Sequence, residues 1–149
     1  LIISPLLALM NNQIESAAKL DLQVRTINSE NSDEWNYIFE EIKDGCVDAL
    51  IISPERLANE EFKEILITRL SAQVGLFVVD EAHCISDWGH DFRPDYRRIV
   101  DIVRLLLPNI PVLATTATAN NRVVDDIKTQ LGGNFAVSRG SLMRDSLSI

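Results

Sequence analysis

The chain has 149 residues, 46% of them apolar, and a formal net charge of -8. That length and apolar share suit one globular domain with its own core and exclude a disordered or fibrous chain, while no apolar run nears the roughly 20 residues of a membrane-spanning helix. The excess of acid excludes attraction of nucleic acid to the surface as a whole, so any nucleic-acid site has to be local.

In chain order, Leu1 to Ile3 is a short apolar run without polar alternation, the pattern of a strand buried on both faces of a parallel sheet. Ser4-Pro5 ends it, and helical spacing follows from Leu6 to Leu20. Val24 to Ile27 is a less apolar strand candidate, and Ser32 to Lys43 is helical, with Ser32 placed to cap its start and Gly45 to turn the chain at its end. Ala49 to Ile52 is the next strand, ended by Ser53-Pro54, and Asn59 caps a helix running to Leu70. The strand Leu76 to Val79 leads into a polar segment, after which Pro94 suits the first turn of a helix over Asp95 to Leu107. Val112 to Ala114 is a strand, Asn121 to Leu131 a helix stopped by Gly132-Gly133, and Phe135 to Val137 a further short strand. Repeated strand-then-helix order means right-handed βαβ units and a three-layer α/β domain over residues 1–137. Residues 138–149 have weak periodicity and read as an exit segment toward a further domain.

The sharpest chemistry lies where the fourth apolar run ends, in Asp80-Glu81-Ala82-His83. Parallel sheets bind ligands at the carboxyl ends of their strands, so Asp80 emerges where a nucleotide would sit and offers an oxygen ligand for Mg²⁺. Glu81 follows as a carboxylate able to polarise an attacking water, and phosphoryl transfer asks for little more than such positioning and charge stabilisation. Taken alone, Asp80 also fits a helix cap and Glu81 a solvated acid.

The segment Cys84 to Arg98 is too polar for a core element, yet it carries Trp88, Phe92 and Tyr96 among Arg93, Arg97 and Arg98. Aromatic rings interleaved with arginines suit single-stranded nucleic acid, because bases stack on the rings for roughly 1–3 kcal/mol each while Arg meets phosphates. The spacing by four also fits the buried stripe of a helix, a reading opposed by Gly89 and Pro94. Cys46 and Cys84 form no C-x-x-C pair, so neither a zinc site nor a disulfide framework is expected, and a reducing cytoplasm is the expected compartment.

The run DEAHCISDWGHDFRPDY, Asp80 to Tyr96, resembles the ATPase motif and aromatic-rich loop of the RecQ-family helicases. Three further stretches agree in order. Ile2 to Met10, followed by Gln13, resembles the family's strand-to-helix turn on the DNA backbone, Ile51 to Leu57 resembles the second such turn, and Ala114 to Ala119 resembles the motif joining the ATP and DNA sites. Ser-Pro at a strand end is by itself also a plain helix start, and the threonines also suit a polar strand end, so their order around Asp80 carries the likeness.

The resemblance implies a RecA-like P-loop NTPase fold with a mostly parallel sheet, and an ATP-dependent DNA helicase moving 3' to 5' with ATP and Mg²⁺ as cofactors. Asp80 would hold the metal, Glu81 would activate the water and His83 would couple nucleotide to DNA. Single-stranded and duplex DNA would meet Ser4, Pro5, Ser53, Arg56, Trp88, Phe92, Arg93, Thr116 and Thr118. The rival readings are an RNA helicase of the DEAD/DEAH class, which the aromatic segment opposes, and a motor-fold fragment without turnover. No G-x-x-x-x-G-K-[ST] run occurs, and the chain opens on Leu1 rather than Met, so the expectation is a partial first motor domain lacking its phosphate-loop strand and a second motor domain. Asp87 stands where many relatives have Gln, and Arg144-Asp145-Ser146 where they commonly have Arg-Pro-Asn.

Overall fold

The computed structural model describes the chain apart from residues 6, 29, 90, 91, 107–109, 119, 134 and 141–149 and the side chains of residues 7–9, 61, 67 and 104–106. The departure at Arg144-Asp145-Ser146 and most of the expected exit segment therefore lie outside the described residues. Five strands, β1 (Ile2–Ile3), β2 (Val24–Ile27), β3 (Ala49–Ile52), β4 (Phe77–Val79) and β5 (Val112–Ala114), form one sheet in the order β2-β3-β1-β4-β5. Every pairing is parallel. This is the α/β architecture that the apolar runs predict.

Period-two alternation sorts the sheet's side chains between two helical layers. Ile2, Val24, Ala49 and Ile51 face α1 (Leu7–Ala18) and pack with Met10, Ile14 and Ala17. Their sequence neighbours Ile3, Leu50 and Ile52, with Ile27, Phe77 and Val79, face the larger core. That core is completed by α2 (Trp35–Lys43), α3 (Glu60–Ile65), α4 (Pro94–Leu106) and α5 (Asn121–Leu131), through side chains such as Phe39, Phe62, Ile99 and Ile127. Among the described residues no helix is long and apolar enough to cross a membrane.

The helix boundaries show which local signals prevailed. Asn59 and Asn120 cap α3 and α5 by accepting from Phe62 N at 2.9 Å and Val123 N at 3.0 Å, and Gly45 and Gly132 take the left-handed conformation after α2 and α5. Ser32 does not cap α2, which starts at Trp35 behind an uncapped Glu34. Asn31 has taken the local donors instead, its Oδ1 accepting from Asn28 N and Trp35 Nε1 while its amide donates to Thr26 O. The helix expected from Asn59 to Leu70 is an α-helix only to Ile65 and continues as a wider π turn over Leu66–Leu70. Ser53-Pro54 opens a short 3-10 segment, Pro54–Ala58, rather than an α-helix.

Phe135 to Val137 is not a strand. With the segment up to Gly140 it lines a groove of about 570 Å³ whose other walls are Ala82, Val112 to Ala117, Val124, Ile127 and Lys128. β5 is thus an edge of the sheet, paired with β4 alone among the described residues, and Leu113 on it is 48% exposed.

Candidate nucleotide and nucleic-acid site

Strand order reverses at β1, since β2 and β3 lie on one side of it and β4 and β5 on the other. Such a switch point opens a crevice at the carboxyl ends of the strands, here between β1 and β4. Ser4 leaves the first of these strands and Asp80 the second, and Asp80 N donates to Ile3 O at 2.9 Å across the gap.

The Asp80 carboxylate is held from four directions. Its Oδ2 accepts from Ser4 Oγ and from Gln13 Nε2, both at 3.3 Å, and its Oδ1 accepts from Thr115 Oγ1 at 2.9 Å and from Glu81 N at 3.0 Å. Its backbone oxygen accepts from the Tyr96 hydroxyl at 3.0 Å. Tyr96 is wholly buried, and burial drives its phenol far above the usual tyrosine range, with Cys84 and then Asp80 adding to the shift. Tyr96 is therefore a core anchor for the strand end, and the idea of one stripe through Trp88, Phe92 and Tyr96 fails.

Glu81 has left-handed backbone dihedrals, φ 49° and ψ 44°. A side chain in this region costs roughly 1–2 kcal/mol, and such cost is typically tolerated where geometry matters to function. The turn brings Glu81 Oε2 within 3.1 Å of His83 Nδ1, which also lies 3.0 Å from Thr116 Oγ1. Thr116 Oγ1 donates to Thr118 O and accepts from Thr118 N. His83 Nδ1 thus sits between Glu81 and Thr116, while Cys84 Sγ lies 3.7 Å from its Nε2.

The donor set fits a hard cation held by few protein groups. Asp80 and Glu81 supply carboxylates, Ser4 and Thr115 hydroxyls, and Gln13 a buried Oε1 that lacks a hydrogen-bond partner while its Nε2 touches Asp80. Among the described residues there is no cluster of three or more His, Cys, Asp or Glu.

Beyond the acids, Ala82–Ile85 is a buried 3-10 turn, and Gly89 then closes against it. A Cβ at Gly89 would lie 2.2 Å from His83 O, so only glycine fits. Trp88 is 57% exposed, with the Arg122 guanidinium of α5 at 3.3 Å from its ring centre. Phe92 is partly buried under Arg97, at 5.3 Å, and Arg97 Nη2 also donates to both carboxylate oxygens of Asp87, at 2.7 and 2.6 Å. Arg93 N donates to Cys84 O.

Of the residues expected to meet DNA, Ser4 is fully buried with its hydroxyl on Asp80. Pro5 is half-buried beside it. Ser53 is buried at the end of β3, and Arg56 lies over the Trp35 ring at 5.5 Å with a buried Nε that has no hydrogen-bond partner. Thr116 and Thr118 are exposed. Four residues not assigned to the site from sequence join it: Gln13, Thr115, Arg122 and Asp126, the last accepting from Ser86 Oγ at 2.6 Å. Thr115 and Gln13 lay inside the quoted motifs, whereas Arg122 and Asp126 carry no sequence signal beyond their place on an amphipathic helix.

The DEAD/DEAH box helicase family model matches residues 1–127. The ATP-dependent DNA helicase RecQ of Bacillus subtilis is 42% identical over 132 residues, which are 88% of this chain and 22% of that protein. The ATP-dependent helicase SGS1 of Saccharomyces cerevisiae is 39% identical over 130 residues, 85% of this chain and 9% of that protein. The RecQ-like DNA helicase BLM of Xenopus laevis is 37% identical over 136 residues, 88% and 10%. The chain thus spans less than a quarter of each. The crystal structure of the Pyrococcus furiosus Hef helicase domain superposes with a TM-score of 0.56 at 21% identity over 88% of this chain and 27% of that one, a likeness of fold. With that fold, with an acid pair at its switch point and with the match over residues 1–127, the chain belongs to the DEAD/DEAH box helicase family and is similar within it to the RecQ helicases.

Proposed function

We propose that the chain is part of the first motor domain of an ATP-dependent DNA helicase that couples ATP hydrolysis to 3'-to-5' unwinding of duplex DNA. The observation that carries this reading is the Asp80 carboxylate at the sheet's switch point, fixed by Ser4, Gln13 and Thr115 from three separate segments. A carboxylate so constrained is preorganised, which is what phosphoryl-transfer sites require.

Asp80 is the residue to hold Mg²⁺, with the Ser4 hydroxyl and the orphaned Gln13 Oε1 beside it for water or metal. Bound at that place, magnesium neutralises charge on the phosphates. Glu81, 28% exposed at its side chain, orients the attacking water and takes its proton. His83 senses that change through its Nδ1 contacts with Glu81 and Thr116, so the hydrolytic acid is joined to the threonine segment. Trp88 offers a base-stacking face, with Phe92, Arg93, Thr116, Thr118, Pro5, Ser53 and Arg56 as further DNA contacts. A second motor domain completes the enzyme, and the compartment is cytoplasmic, or nuclear in a eukaryotic source.

The test is ATP hydrolysis by the intact protein with and without saturating single-stranded DNA. Glu81→Gln should abolish turnover in both conditions with ATP binding kept. Trp88→Ala should weaken DNA binding by roughly 1–3 kcal/mol while the stimulation ratio falls further. Stimulation by RNA in place of DNA would move the reading to an RNA helicase, and equal stimulation of parent and Trp88→Ala would make the aromatic segment a packing element.

A further inference from the structure

The exposed aromatic segment is fastened to a helix far along the chain. Ser86 Oγ donates to Asp126 of α5 at 2.6 Å and accepts from Trp88 N at 3.1 Å, so one hydroxyl joins the helix to the backbone that carries Trp88. One turn earlier on α5, Arg122 covers the indole at 3.3 Å from its centre, and 57% of Trp88 nevertheless remains accessible. Asp126 and Arg122 lie four residues apart and so share one face of the helix. Neither contact touches the acid pair.

We propose that Arg122 and Asp126 are positioning residues that dock the aromatic segment on α5 and present the uncovered part of Trp88 to an unpaired base. An exposed indole on a loop would otherwise sample several rotamers, and binding a base would then require ordering it. Here the guanidinium restrains the ring from one side through a cation–π contact, and the charged hydrogen bond at Asp126 restrains the backbone below it. A base arriving on the open side completes a stack of Arg122, Trp88 and base.

The same dock supplies a route to the hydrolytic centre. Several contacts join residues 80–88 to residues 115–126, among them Asp80 with Thr115, His83 with Thr116, Ser86 with Asp126 and Trp88 with Arg122. A displacement of Trp88 that carries α5 with it acts on the start of that helix, and hence on the threonines that hold Asp80 and His83. This inference rests on the helicase reading only for the identity of the stacking partner.

The experiment uses the intact protein labelled with 5-fluorotryptophan, the Trp88 signal being identified by its loss in Trp88→Phe. Arg122→Ala should shift that signal, and Asp126→Asn should also shift it although Asp126 does not touch the ring. Affinity for a short oligothymidine should fall about three-fold to ten-fold in Arg122→Ala, with Arg122→Lys intermediate because it keeps charge but not the planar stack. An unmoved signal in Arg122→Ala, or tighter binding, would overturn the dock; the latter would mean that Arg122 blocks the ring. If the parent itself binds no oligothymidine, both the base-presenting role and the helicase reading fall, which separates that failure from failure of the dock alone.

Discussion

The hydroxyl of Thr115, at the end of β5, donates to Asp80 Oδ1 at 2.9 Å, although the two residues stand 35 positions apart. Adjacent parallel strands end level, so β4 delivers the Asp80 carboxylate and β5 the hydroxyl that orients it. Thr115→Val keeps the shape and removes the donor. Because Thr115 is exposed, stability should change by less than about 1 kcal/mol, while the magnesium concentration giving half-maximal ATP hydrolysis by the intact protein should rise several-fold. An unchanged magnesium titration would show that Ser4, Gln13 and Glu81 N suffice.

Glu81 carries the cost of a left-handed backbone. Both Glu81→Ala and Glu81→Gly remove the carboxylate, and on the proposed function both should lose turnover, but only glycine relieves the conformation. The glycine variant should be the more stable of the two by about 1 kcal/mol, against the usual order in which Ala stabilises relative to Gly. Thermal unfolding of the pair decides it, and a more stable Ala variant would mean that the strain is absent.

Gly89→Ala should be strongly destabilising, by about 2–4 kcal/mol, since its Cβ would sit 2.2 Å from His83 O and the clash is with backbone. The displaced His83 should also lose its place between Glu81 and Thr116. Denaturant unfolding measures the first effect, and the histidine ring resonances report the second.

Tyr96→Phe removes a donor to Asp80 O from a wholly buried site and should cost about 1 kcal/mol near neutral pH. Burial raises the folded phenol's pKa, so the folded state favours the protonated form. The resulting stability is full below the unfolded phenol's pKa of about 10 and declines above it, as the unfolded chain ionises. The parent's advantage over Tyr96→Phe should therefore shrink as pH passes about 10. A constant difference across that range would contradict the burial argument.

The edge strand β5 exposes Leu113 and pairs on one side only among the described residues. Open apolar edges promote strand pairing between chains, so the isolated 149-residue chain should self-associate as its concentration rises. It should also fail to hydrolyse ATP measurably, having no G-x-x-x-x-G-K-[ST] run. Leu113→Lys should reduce the association seen by light scattering. A parent that stays monomeric over the same range would show that the edge is protected.

What the linear order of residues determined by itself was periodicity and local chemistry. Uninterrupted apolar runs mark Ala49–Ile52 and Leu76 to Val79 as strands, the latter observed over Phe77–Val79, and place Asp80-Glu81 at a strand end, because such signals act over a few neighbouring residues. The cap at Asn59 and the stop at Gly132 belong to the same class, each being a bond or dihedral within one turn, whereas the cap at Asn120 emerged only in the structure. Even there, competition among neighbours is decided by geometry, as when Asn31 rather than Ser32 took the donors ahead of α2. Tertiary structure alone decided who meets whom. Strand order sets Gln13 on Asp80 across 67 positions and Thr115 on its other oxygen, and helix packing sets Arg122 over Trp88 while Tyr96, four residues beyond Phe92, is drawn into the core. These contacts rest on long-range burial of the helices against the sheet, an energy summed over the whole core, and so no window of the sequence contains them.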